Sequence, residues 1–491
     1  MDETGILPKQ VTNWIGGKEQ VAIGNEWFDK LDPHTGKVQT RVARSHADDI
    51  AAAVKSAQNA QLVWAATPAV QRGLMLHRLV VAMQDHQEWI ARIVAAETGK
   101  SYKESLGETG GAIQCGLFYA SEGQRLYGRT TTSGTPNKYA MTIRTPIGVA
   151  GLIIAANTPI ANVAWKIFPA LVCGNSVVLK AAEDTPATAW IVGKLAADVG
   201  FPAGIFNIVQ GYGKEAGAPL VEHPDVGVIS FTGSTEVGRY IQRAAGERFA
   251  RISLELGGKN PLVVCEDADL ENAARWVLNS AFSNAGQRCA SNSRVIVFDT
   301  VYDNFREMLV ERTMKLKLGP SDEDDFGPVI NEGQLDNMLS AVQKARANGA
   351  TILAGGERLT DEAHRNGFYM APTLIEGVDP HDEISECELF GPIVILFKVR
   401  GFEEALELAN DSPYGLTASI HTKSIHRAMR FCERVQSGVA VVNAGTHGSE
   451  PHMPFGGRNQ SGNGSREPGT EALDVYSELK DIYINIDPDQ L

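Results

Sequence analysis

Between residues 148 and 256 apolar, branched runs alternate strictly with helical stretches, and no other feature of this chain constrains its fold as much. GVAGLIIAA (148–156), SVVLKAA (176–182), IFNIVQG (205–211) and VGVISFTG (226–233) read as strands, and PIANVAWKIFPALVC (159–173) and TPATAWIVGKLAADVG (185–200) read as helices. Near-continuous apolar strands joined by helical crossovers describe a parallel sheet covered on both faces. The expected class is α/β. A doubly wound sheet of this kind takes its ligands at the carboxyl ends of the strands.

The flanking segments read differently. Residues 47–125 are rich in Ala, Leu, Glu and Lys at helical spacing, and Asp48 and Asp49 stand where a helix start favours negative charge. YGRTTTSGTPNKYAMTIRTPIG (127–148) predicts an extended segment. A second βα-rich block follows from about 257 to 455. In ELKDIYINID (478–487), Ile482, Ile484 and Ile486 alternate with polar or aromatic neighbours. That pattern predicts a terminal strand with no local partner, suited to pairing with another subunit's sheet. A chain of 491 residues exceeds one ordinary core, so two or three domains are expected.

Lys and Arg total 45 against 59 Asp and Glu, a formal net charge of −14, and no basic tract overrides that balance. The acidity argues against a nucleic-acid or anionic-membrane partner. The six cysteines are scattered, without CxxC or metal-type spacing, and read as reduced thiols with no metal. MDETGILPKQVTNWIGG (1–17) shows no secretory pattern, and the longest apolar runs are too short for a bilayer. A soluble cytoplasmic protein is expected.

Two reactive side chains stand in small, glycine-rich settings: Cys289 in FSNAGQRCASNSRV (282–295) and Glu255 in LELGGKNP (254–261). A thiolate attacks carbonyl carbon, and a nearby carboxylate activates water to release the acyl group. Either alone reads equally as an inert thiol or a solvated carboxylate. Asn157, in IIAANTPIAN (153–162), offers an uncharged amide to an oxyanion, although Asn before a turn Pro is common for backbone reasons alone. In VISFTGSTEVGR (228–239), Gly233 permits close backbone approach. Ser234 opens a helix, as a pyrophosphate site or as an ordinary N-cap. Lys180 and Glu183 lie beyond a strand's carboxyl end and suit adenosine ribose hydroxyls, or a surface ion pair. QGYGKEAG (210–217) misses the GxGxxG spacing by one place and reads as a turn.

Taken in order, AANTP, VVLKAAE, FTGSTEVG, LELGGKNP, GQRCASNSR, ELFGPI and MPFGGRNQSGNG make the chain resemble the aldehyde dehydrogenase superfamily over nearly its whole length. The resemblance implies a Rossmann-type dinucleotide-binding domain (1–126 and 147–256), an α/β catalytic domain (257–473) and a small β oligomerisation flap (127–146 and 474–491). It implies a homodimer or homotetramer. It also implies oxidation of a small-molecule aldehyde with NAD, NADP being the alternative, through a Cys289 thiohemiacetal and thioester. Asn157 and the Cys289 backbone N–H would hold the oxyanion, and Glu255 would activate water. Ile153, Lys180, Glu183, Gly233, Ser234, Leu256, Glu388 and Phe390 would bind the cofactor.

Thr158 stands where the family often has an aromatic residue, and Asn459 where it usually has Lys. Thr158, Asn162, Trp165, Arg288 and the loop GTHGSEPHM (445–453) are the expected tunnel lining. That lining suggests a polar or acidic semialdehyde, with Arg288 as a carboxylate partner or a mere surface residue. The stretch SGNGSREPGTEALDVYSELK is similar to the α-ketoglutarate-semialdehyde dehydrogenase branch. A CoA-acylating relative and a non-catalytic binding protein on the same scaffold are the alternatives. Glu255 speaks against the first, and the joint presence of Cys289, Glu255 and Asn157 against the second.

Overall fold

The computed structural model describes residues 5–490; residues 1–4 and 491, the outer ends of the assigned nucleotide-binding and flap segments, lie outside the described residues. The first of two seven-stranded sheets has the order Arg251–Glu255, Val226–Thr232, Val149–Ile153, Ser176–Lys180, Phe206–Val209, Asn13–Ile15, Lys18–Gln20. The first five of these run parallel. The last two join antiparallel from the amino-terminal segment. At three residues each such strands carry too little periodicity to be read from sequence. Val149–Ile153 and Ser176–Lys180 are buried along their whole length, which explains their unbroken apolar character. Both crossover helices, Pro159–Val172 and Pro186–Asp198, begin with proline, whose fixed φ suits a first turn.

Register sets up the site. Ile153 pairs with Lys180 and with Phe231, and Thr232 pairs with Glu255. One carboxyl edge of the sheet therefore carries Lys180, Ile153, Thr232 and Glu255 side by side.

The second sheet has the order Thr351–Ala354, Thr373–Glu376, Ile393–Val399, Asn292–Phe298, Asn260–Val264, Thr417–His421, Val439–Val442. It has its own apolar core. The 47–125 region forms four helices, Ala47–Ala66, Ala69–Asp85, Gln87–Thr98 and Tyr102–Glu122. At the start of the first, the Asp49 carboxylate accepts the His46 N–H at 3.0 Å.

A three-stranded antiparallel sheet joins Thr130–Thr132, Lys138–Pro146 and Ser477–Asn485. The terminal strand thus pairs within its own chain with the other segment of the expected flap, from Ser477 opposite Pro146 to Asn485 opposite Lys138. The partner lies more than three hundred positions upstream, beyond the reach of any local pattern. Among the described residues no helix is long and apolar enough to cross a membrane.

Candidate active site

A cavity of about 710 Å³ opens at the carboxyl edge of the first sheet. Its walls include Ile153, Lys180, Glu183, Gly233, Ser234 and Val237. Ser234 Oγ accepts the Val237 N–H at 3.4 Å and so caps the helix Thr235–Gly246, while also facing the cavity. Lys180 and Glu183 are ion-paired at 2.7 Å, and both lie on the cavity wall. Gly213, Lys214 and Gly217 of QGYGKEAG also line it, as does Gln334 from the helix Glu332–Ala347. Neither had been singled out as a site. The first lacks regular glycine spacing, and the second comes from another sheet's helix.

A second cavity of about 320 Å³ continues from the first through shared walls at Thr232, Gly233, Ser234 and Gln334. It brings together Asn157, Glu255, Leu256, Cys289, Glu388 and Phe390, residues drawn from both sheets. Three consecutive residues before Cys289 are left-handed: Asn284 at φ 53°, Ala285 at 53° and Gly286 at 69°. A Cβ on Gly286 would lie 2.3 Å from the Gly391 carbonyl oxygen, so only glycine fits that crossing. Phe390, on the facing loop, is also left-handed at φ 55°, an outlier for an aromatic residue that marks a conformation imposed by its surroundings.

Cys289 is half-buried, and burial pushes its thiol up to about 12, with the Glu388 and Glu255 carboxylates adding to the effect. Glu255 is 5% exposed, and neither of its carboxylate oxygens has a hydrogen-bond partner among the described residues. Burial holds its pKa well above the usual carboxylate range, reinforced by the Glu467 charge and opposed by Lys166 and Arg466. Glu388 accepts the Gly258 N–H at 3.0 Å, and burial raises it to about 7. A Cβ on Gly257 would lie 1.8 Å from the Glu388 carboxylate, so a larger residue there would displace that side chain.

The Asn157 amide donates to the Gln287 carbonyl at 3.0 Å, tying the amide to the turn that carries Cys289. Thr158, Asn162 and Trp165 all line the 320 Å³ cavity. The Asn162 amide, however, is engaged with the Thr158 carbonyl at 3.0 Å and hydroxyl at 3.2 Å. Trp165 and Phe455, with ring centroids 5.6 Å apart, make an aromatic wall. Arg288 and the 445–453 loop are not in that lining. Arg288 reaches Glu104 at 3.1 Å, and Thr446 is buried with its hydroxyl on the Ala290 carbonyl at 2.6 Å. Charge pairing and hydrogen bonding draw both away from the lining that sequence position suggested.

The sequence profile described as the aldehyde dehydrogenase family matches residues 21–482. The chain belongs to the aldehyde dehydrogenase family. Its similarity to an α-ketoglutaric semialdehyde dehydrogenase of Bacillus subtilis (strain 168) is 40% identity over 473 residues, covering 94% of this chain and 97% of that one. An α-ketoglutarate semialdehyde dehydrogenase of Haloferax volcanii is 37% identical, covering 96% and 98%. A betaine aldehyde dehydrogenase of Staphylococcus aureus, solved in complex with NAD+, superposes with a TM-score of 0.95 at 33% identity, covering 99% and 96%. The aldehyde dehydrogenase fold expected from the motifs is therefore the observed one.

Proposed function

We propose that this chain oxidises an aldehyde to its carboxylate with NAD, through a thioester on Cys289. The observation that carries the reading is the convergence of a thiol, an amide donor and a buried carboxylate, without a hydrogen-bond partner among the described residues, on one cavity of about 320 Å³. That cavity opens into a longer one whose walls suit a dinucleotide. There Ser234 heads a helix, whose amino end favours phosphate, and Glu183 faces the space with its carboxylate part-exposed. The cofactor would be held by Ile153, Lys180, Glu183, Gly233, Ser234 and Leu256, with Glu388 and Phe390 at its reactive end. A carboxylate at Glu183 favours NAD over NADP, because it repels a 2′-phosphate.

Cys289 gives up its thiol proton to solvent and its Sγ attacks the aldehyde carbonyl carbon, and the resulting oxyanion takes hydrogen bonds from Asn157 Nδ2 and the Cys289 N–H. Bound nicotinamide accepts the hydride. Glu255, whose affinity for protons burial has raised, takes a proton from water as the water oxygen attacks the thioester carbonyl. The Cys289 sulfur then leaves, releasing the acid.

The proposed substrate is a polar or acidic semialdehyde. The names of the Bacillus subtilis and Haloferax volcanii relatives support this; Arg288, paired with Glu104 outside the cavity lining, does not add to it. We further propose residues 1–126 with 147–256 as the nucleotide-binding domain, 257–473 as the catalytic domain, and 127–146 with 474–491 as a flap that joins subunits. The exposed Leu479, Tyr483 and Ile484 on the flap support the last assignment. A cytoplasmic location accords with six unpaired cysteines.

The test follows NADH absorbance with purified protein across a panel of aldehydes. Semialdehydes of succinate and α-ketoglutarate are expected to give the highest kcat/KM, and higher values for hexanal or benzaldehyde would reject the substrate class. Cys289→Ala is expected to abolish oxidation while NAD binding persists. Glu255→Gln is expected to keep the first burst of NADH and slow later turnover. Loss of the burst would give Glu255 an earlier role.

A further inference from the structure

Lys100 and Glu108 form an ion pair at 2.6 Å with side chains only 1% and 8% exposed. Lys100 directly follows Gly99, the left-handed cap of the helix Gln87–Thr98, and Glu108 lies on the next helix. Lys100 Nζ also donates to the Asn157 backbone carbonyl at 2.8 Å. Glu108 Oε1 accepts the N–H groups of Ile160 and Ala161 at 3.1 and 3.3 Å. Those N–H groups belong to the first turn of the helix that begins at Pro159, where no intrahelical acceptor exists. The pair thus grips the Asn157 segment twice, at its carbonyl and at the turn just beyond. Asn157 itself has one amide N–H committed to the Gln287 carbonyl at 3.0 Å. The other N–H is the one left for an oxyanion, and its direction depends on the backbone that Lys100 and Glu108 hold together with Asn284, whose amide donates to the same Asn157 carbonyl at 3.0 Å.

We infer that Lys100 and Glu108 are positioning residues that aim the Asn157 amide at the reacting carbonyl oxygen, an inference that rests on Asn157 being the oxyanion donor. Two physical arguments support it. An oxyanion donor displaced by about 1 Å loses about 10²-fold in rate, so its backbone needs fixed anchors. A buried Glu108 carboxylate held against the first turn after Asn157 would also oppose a negative charge developing at that amide, and the Lys100 ammonium cancels its field.

The experiment is a mutant cycle on the full-length protein with one semialdehyde and NAD. The charge-balanced Lys100→Met/Glu108→Gln change avoids stranding one buried charge. Lys100→Arg is the second variant, because it keeps the charge pair while moving the donor off the carbonyl. Melting temperature and NAD affinity by fluorescence accompany kcat. Asn157→Ala is expected to lower kcat by about 10² to 10³-fold. Each Lys100 variant is expected to lower kcat by about 10-fold or more with NAD affinity unchanged. Combined with Asn157→Ala, neither is expected to lower kcat further, because the group they aim is gone. Losses that multiply in the combined variants would overturn the positioning role while leaving the oxyanion role of Asn157 standing. An Asn157→Ala enzyme with normal kcat would overturn both.

Discussion

The Asn260 amide donates to the Cys289 carbonyl at 2.7 Å and to the Ser291 carbonyl at 2.8 Å, while its Oδ1 accepts the Thr417 N–H at 3.0 Å. One buried side chain thus ties the nucleophile's backbone to the strand Asn260–Val264 and to its neighbour Thr417–His421. Asn260→Leu keeps the volume but strands two buried carbonyls and one N–H. It is expected to cost about 1–3 kcal/mol per unsatisfied group and to lower kcat by loosening Cys289. Urea unfolding read beside steady-state rates checks this, and normal values for both would contradict it.

Glu255 is held for chemistry against stability. Its native pKa lies above that of an unfolded glutamate, so its contribution to stability is intact at acid pH and is lost as pH rises. The loss begins near the unfolded value of about 4.3 and continues until the native group ionises, at about 1.4 kcal/mol per pH unit. Glu255→Gln is therefore expected to melt higher than the wild type at neutral pH and equally at about pH 4. Thermal scans across that range measure the divergence, and parallel curves would show that the carboxylate is better solvated than its burial indicates.

Lys166 and Glu467 pair at 2.9 Å with both side chains 1% exposed, and Ser230 and Tyr476 also donate to the Glu467 carboxylate. Lys166→Met leaves that carboxylate without a countercharge, at an expected cost of about 3–5 kcal/mol. Lys166→Met/Glu467→Gln is expected to recover most of the loss. Chemical denaturation of the three proteins provides the comparison, and equal destabilisation of single and double variants would refute it.

Glu183→Gln is expected to raise kcat/KM for NADP about tenfold, equivalent to about 1.4 kcal/mol, with a smaller effect on NAD. The change removes a negative charge and frees Lys180, which Glu183 now pairs at 2.7 Å, to meet a phosphate. An unaltered ratio of the two cofactors would place the 2′-position away from Glu183.

What could be read in advance follows the range of the forces involved. Strand–helix alternation from 148 to 256 is written in local periodicity, and the observed strands Val149–Ile153, Ser176–Lys180 and Phe206–Val209 fall within the runs that marked them. Asn459, which the motif alone left without explanation, proves to sit at φ 53°, a conformation Asn tolerates better than most residues. Gln334, Lys100 and Glu108 carried no local signal, because each acts on a segment far away in the chain.

The amino-acid sequence by itself determined the α/β class, the family, and the candidate thiol, carboxylate and amide, since each rests on residue type and local spacing. Only the tertiary structure decided that Arg288 pairs with Glu104, that the terminal strand runs antiparallel to Lys138–Pro146 from Ser477 onward, and that the Glu255 carboxylate has no hydrogen-bond partner among the described residues. Those outcomes depend on which distant groups share a desolvated space, and desolvation and charge pairing are properties of the folded arrangement rather than of neighbours along the chain.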